Sequence, residues 1–179
     1  NRMKTAESAF RAVFILFLAV AVDLPRLAAQ LPATKAERDI DQKHMRQIYD
    51  ALQAYKERHG RLPDWLSDLV PEFISDPDVL VSPVELRTGQ SRMFAYADPK
   101  LKTSYVYEFC GAPAPIGGIR DASEKMTMRE WKTLQMEEWG PAIPLLRCHL
   151  HDPVINVSWS GEFYDTGLFW ETDPATLAL

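Results

Sequence analysis

Cys148, His149 and His151 stand within four residues of one another in the stretch "RCHLHDPV". A thiol beside two imidazoles suggests two chemistries. One is a cysteine nucleophile served by a histidine base. The other is a metal site, because zinc takes cysteine sulfur and histidine nitrogen. The first needs a base oriented by a third group and a site for an oxyanion. In a strand, Cys148 and His149 point to opposite faces. No glycine-rich turn adjoins Cys148, and no Gly-x-Ser-x-Gly pattern occurs. No catalytic residue is assigned.

The metal reading rests on His149 and His151, which share a face if the strand persists through Leu150, with Cys148 pointing away. His44, His59, Asp152 and Cys110 are the other donors for such a set. Asp165, Asp173 and the carbonyls of Thr166–Gly167 are the only candidates for calcium. The competing reading is a polar strand end. It is the one expected, with no metal and no cofactor. The acidic run Asp64, Asp68, Glu72, Asp76 and Asp78 reads as a solvated face. The aromatic residues Trp65, Tyr105, Tyr107, Trp131, Trp139, Trp159, Tyr164, Phe169 and Trp170 read mostly as core.

Several elements must position this corner. "TKAE" (Thr34–Glu37) is a capping box, and a helix is expected from there to about His59. Met45, Ile48, Leu52 and Tyr55 recur at spacings of three and four and make its apolar stripe. Gly60 and Pro63 stop it. Such a helix is marginal alone in water, so its stripe is expected to pack on a sheet. Asp64 is a candidate N-cap for a short helix that buries Trp65, Leu66 and Leu69. "RMFAYA" (92–97) and "TSYVYEF" (103–109) read as an antiparallel pair. Thr127 and Glu130 form a second capping box, opening an inserted helix with Trp131 and Leu134 buried. "IPLLRC" (143–148) is strand-like. A two-residue turn at Ser160–Gly161 would set Trp159 opposite Glu162 and Val157 opposite Tyr164. "LFWE" (168–171) closes the sheet. The fold class is α+β, a long N-terminal amphipathic helix packed on an antiparallel sheet with one inserted short helix.

The chain has 179 residues, a net charge of −5 and 46% hydrophobic residues. That suffices for one packed domain. It offers no basic excess to neutralise phosphates, which argues against nucleic acid as a partner. "AVFILFLAVAV" (Ala12–Val22) follows Lys4 and Arg11. This run suits a signal peptide and is short for a spanning helix of about 20 residues. Cleavage is expected at Ala29–Gln30, the alternative being an uncleaved anchor that gives membrane association through Ala12–Val22. Residues 1–29 are thus a signal peptide or anchor, 34–171 the domain and 172–179 a tail. Either way the domain is exported, to the periplasm or beyond. Two cysteines in an exported chain can pair. Cys110 and Cys148 are the only candidates, and two free thiols are the alternative.

The stretch "MRQIYDALQAYKERHGRLPDWLSDLVPEFISDPDVLVSP" resembles the soluble start of type II secretion major pseudopilins, the G-type class of pilin-like proteins. Shared features are the helix with its leucine-tyrosine stretch, the His-Gly stop, a proline and the "L-x-x-L-V-P-x-F-I" run. "HDPVINVSWSGEFY" is similar to a subgroup carrying a C-terminal histidine, a strand and an Asp-Gly turn, with Ser160–Gly161 at that turn here. The likeness covers roughly Asp39 to Glu171. A prepilin cleavage motif of the Gly-Phe-Thr-Leu-Ile-Glu type is absent, and Ser82–Pro83 stands where the family often has Cys-Pro. The resemblance implies a pilin-like domain without enzymatic activity. It implies protein–protein interaction, with itself or other pseudopilins, in or derived from a secretion or pilus-like apparatus. An extracytoplasmic metal- or ligand-binding module using the Cys148–His151 corner is the alternative.

Overall fold

The computed structural model describes residues 32–91, 96–114 and 126–167. The apolar run 12–22, residues 92–95, the expected strand 168–171 and Asp173 lie outside the described residues. Among those described, no helix is long and apolar enough to cross a membrane.

Helix α1 spans Lys35–His59. Its start is chemical. The Thr34 hydroxyl accepts from the Glu37 amide at 3.2 Å, and a Glu37 oxygen accepts from the Thr34 amide at 2.7 Å. Two amides that the helix leaves unpaired are thereby satisfied. Its end is conformational: Gly60 takes φ +72 and donates to the Lys56 carbonyl at 2.8 Å. Met45, Ile48 and Leu52 are wholly buried. Each contributes about 1.5–3 kcal/mol relative to exposure. Tyr55 packs against the edge of the same core. It is half-buried, 4.3 Å from the His59 ring and 5.3 Å from Phe73 in the following connector.

The connector is folded by local carboxylates. A 3-10 turn covers Leu66–Leu69 and buries Leu66 and Leu69. Asp64 is not its cap. It pairs with Arg61 and Arg129, while Asp68 accepts from the Trp65 amide instead. A second 3-10 turn, Pro77–Leu80, is capped by Asp76. Helix α2, Pro83–Thr88, was not expected from the sequence. Ser82 caps it, Pro83 opens it, and Gly89 closes it.

Among the described residues four strands follow: β1 (Val106–Tyr107), β2 (Pro144–Cys148), β3 (Val154–Ser158) and β4 (Phe163–Thr166). They form one antiparallel sheet in the order β1-β2-β3-β4, so the class is α+β. Helix α3 (Met128–Trp139) lies between β1 and β2 in the chain, capped by the Thr127–Glu130 box. Helix α1 packs against β2 and β3, both 3-10 turns and α2.

Three expectations are corrected here. The 103–109 segment pairs through Val106 and Tyr107 with Arg147 and Leu146 of β2, and Tyr96 and Ala97 lie in no strand. The β3–β4 register is one residue off the expected one: Val157 faces Phe163 and Asn156 faces Tyr164. The loop has three residues, Trp159–Gly161, because Gly161 takes φ +86 as a bulge residue after a turn closed by its amide on the Ser158 carbonyl. In α3, Leu134 is exposed and Trp131 only half-buried. Met128, Lys132 and Gln135 are the buried face. The reason is ionic. Lys132 Nζ lies 3.2 Å from the buried Glu108 carboxylate, whose other oxygen is 2.7 Å from Arg147 Nε.

Candidate functional site

The β1–β2 register carries Tyr105 to the position opposite Cys148, and Cys148 faces Ile155 on β3. Opposed residues share a face, so these three lie on the side that meets α1. Arg147 and Asn156, one residue along, point the other way. Helix α1 presents Asp41 to this side. Asp41 is wholly buried, one turn before Met45 on the same stripe.

Asp41 gathers three chain segments. Its Oδ1 accepts from the Tyr105 hydroxyl at 2.6 Å. Its Oδ2 accepts from Ser82 Oγ at 2.8 Å and lies 2.6 Å from His151 Nε2. His44 Nδ1 stands 3.1 Å from the Tyr105 oxygen. Ser82 also receives the Val84 amide as the cap of α2, and its own amide donates to Ser104 Oγ at 2.8 Å. Ser104 donates to Glu85, which pairs with Lys102 at 2.9 Å. Charge-assisted bonds of this kind are the stronger class, and together they tie α1, α2, the segment before β1 and the loop after β2.

Cys148 completes the corner. Sγ of Cys148, a ring nitrogen of His151 and a carboxylate oxygen of Asp41 all lie within 4.8 Å of one another, all in buried residues. Burial pushes the Cys148 thiol well above its usual range, and the Asp41 charge adds to that. An attacking cysteine needs the opposite, a thiolate favoured by a cation or a helix N-terminus. The Tyr105 phenol is pushed up the same way, by burial first and Asp41 second. Both groups therefore hold their protons tightly.

A cavity of about 260 Å³ adjoins it, lined by Pro32–Lys35, Arg38 and Leu150–Asp152, with His151 in its wall.

The donors expected from the sequence are distributed differently. His151 belongs to the corner. His149 is buried but is not one of the trio. The strand ends at Cys148, so the alternation that would align His149 with His151, and turn Cys148 away, does not continue. His59 stacks on Tyr55, and Asp152 is exposed. Asp165 pairs with Arg38. Cys110 and Cys148 are free thiols, not a disulfide. The register explains why. Tyr105 is opposite Cys148, and Cys110 lies five residues beyond Tyr105. Disulfide geometry requires Cα atoms within about 7 Å. Burial also raises the Cys110 thiol, to about 11. Asp68 and Glu72 in the acidic run pair with Lys100 and Arg58. Trp159 stacks on Phe109 at 4.8 Å, as core.

Sequence reasoning missed Asp41 and Ser82. The signal for Asp41 was its place: 41, 45, 48 and 52 share the helical spacing of the buried stripe. An acid on that stripe must be buried and paired. Ser82–Pro83 reads locally as a helix start, but nothing local shows that its hydroxyl also reaches α1.

No protein-family model, no curated protein and no solved structure matches this chain.

Proposed function

We propose that the chain is an exported, pseudopilin-like protein that works by binding other proteins, either copies of itself or related pseudopilins, and not by catalysis. The observation that carries this reading is the arrangement of α1. Its apolar stripe packs against β2 and β3 of an antiparallel meander, and Asp39, Ile40, Lys43, Gln47 and Asp50 remain exposed along its outer side. That is the organisation a pilin-like domain uses to present one helix to its neighbours. Ile40 on α1 and Leu86 on α2 are large apolar side chains left 40% and 70% exposed. The Glu37–Arg87 ion pair joins the two helices that carry them. Apolar residues on an outer face are what a docking partner would cover. The raised Cys148 thiol supports a non-catalytic role, since it disfavours the nucleophilic form.

The test is cross-linking of the full chain in a membrane-bearing cell. A photoreactive residue at Lys43 or Gln47 should give adducts with a second copy or with another exported pilin-like chain. One placed at the buried Ile48 should give none. Monomer alone from both outer positions would overturn the reading.

A further inference from the structure

We propose that Asp41, Cys148 and His151 form a three-residue site for a divalent zinc-like cation. The inference stands apart from the pseudopilin-like reading and does not depend on it. The three donor atoms come within 4.8 Å of one another from two distant parts of the chain, Asp41 on α1 and Cys148 at the end of β2 with His151 just beyond it. Their types are oxygen, sulfur and nitrogen, a set that suits a borderline ion such as Zn²⁺ better than Mg²⁺ or Ca²⁺, which prefer oxygen alone.

Charge gives the second argument. A carboxylate, a thiolate and a neutral imidazole carry two negative charges, so a divalent cation makes the buried centre neutral. Neutrality is what a low-dielectric interior tolerates. Binding is balanced by protons: the ion takes the place of the Cys148 thiol proton, which goes to solvent. The proton held between His151 Nε2 and Asp41 Oδ2 leaves Nε2 for solvent, and the ring carries one proton on Nδ1, so that it stays a neutral imidazole with its Nε2 lone pair facing the ion.

Orientation gives the third. Metal-ligating carboxylates are held by outer hydrogen bonds, and Asp41 has two, from Ser82 and Tyr105. Cys148 is fixed by its pairing with Ile155. Three protein ligands leave one position for water or an exogenous ligand. The cavity beside His151 supplies access, with Arg38 and the start of α1 on its wall.

Metal binding by the purified full chain tests this. The protein is stripped with a chelator, then titrated with Zn²⁺ and separately with Co²⁺. One ion per chain is expected, with a thiolate-to-cobalt charge-transfer band in the Co²⁺ form. Cys148→Ser should remove the band and weaken Zn²⁺ binding at least tenfold, and His151→Ala should weaken it similarly. Cys110→Ser and His149→Ala should leave stoichiometry and band unchanged. Absence of stoichiometric binding by the wild-type chain would overturn the proposal. So would a sulfur band that survives in Cys148→Ser. The wild-type measurements decide the matter even if a variant fails to fold.

Discussion

Asp41 Oδ2 and His151 Nε2 stand 2.6 Å apart, with 110 residues of chain between them. The pair is buried on both sides and shares its carboxylate with Ser82 and Tyr105. One acid on the first helix therefore satisfies donors from three other segments. Replacing it leaves those buried donors with no anion to meet. Asp41→Ala is expected to lose about 3–5 kcal/mol of stability, the range for breaking one side of a buried ionic contact. Chemical denaturation at neutral pH measures it, and a loss below about 1 kcal/mol would contradict the network.

The hairpin tip gives a steric prediction. A Cβ on Gly161 would meet Tyr49 Cζ at 2.8 Å, and the residue holds φ +86. Gly161→Ala should cost about 2–4 kcal/mol, from backbone strain and overpacking together. Adding Tyr49→Leu should recover the overpacking part and leave the backbone part. Full recovery in the double variant would show that φ carries no penalty.

On the other side of the sheet, Glu108 faces both Arg147 and Lys132. All three are buried. Glu108→Ala removes the anion that both cations contact and should cost about 3–5 kcal/mol. Lys132→Met keeps the apolar stem and leaves Arg147 on Glu108, so about 1 kcal/mol is expected. Thermal melts of the two variants should differ widely. Equal losses would mean that Lys132, not Glu108, organises the cluster.

Glu37 sets an acid limit. Its hydrogen bond from Arg87, followed by its contacts with Thr34, holds its carboxyl down at about 2 from an ordinary 4.5. The folded value lies below the unfolded one. The stabilisation is therefore complete above about pH 4.5 and lost as pH falls toward 2. Glu37→Gln should be less stable than wild type at pH 7, and the two should converge by pH 2. A difference that stays constant over that window would rule the linkage out.

The cysteines should be silent in the native state. Both are buried, and both thiols are raised by burial. Neither should react with a thiol reagent at neutral pH before unfolding, and both should react in denaturant. An intact mass two hydrogens lighter than the free-thiol form would signify a bridge and refute the register drawn above.

Local chemistry was legible in the sequence and long-range pairing was not. Both threonine capping boxes could be read because hydroxyl and carboxylate lie three residues apart. Met45, Ile48 and Leu52 could be read because apolar spacing reports burial directly. Polar residues on the same faces were misjudged, since their burial depends on partners far along the chain. Lys132 is inside because Glu108 and Arg147 are there, and Leu134 is outside for the same reason. Arg46 on α1 donates to the Gly161 carbonyl at 2.8 Å, 115 residues away. The hairpin position was readable from Ser160–Gly161. Its register was not, because a glycine serves equally in a two-residue turn and as a bulge.

The hairpin-to-helix contacts also dictate an order of events during folding. Arg38 reaches Asp165, Asp41 reaches His151, Arg46 reaches Gly161 and Tyr49 reaches Trp159, with 110 to 127 residues spanned each time. Closing such loops is slow, because chain entropy is lost before the contacts repay it. The inner face of α1 is thus sealed only once the β3–β4 hairpin is in place. The β3–β4 hairpin is the latch that closes the domain over that helix.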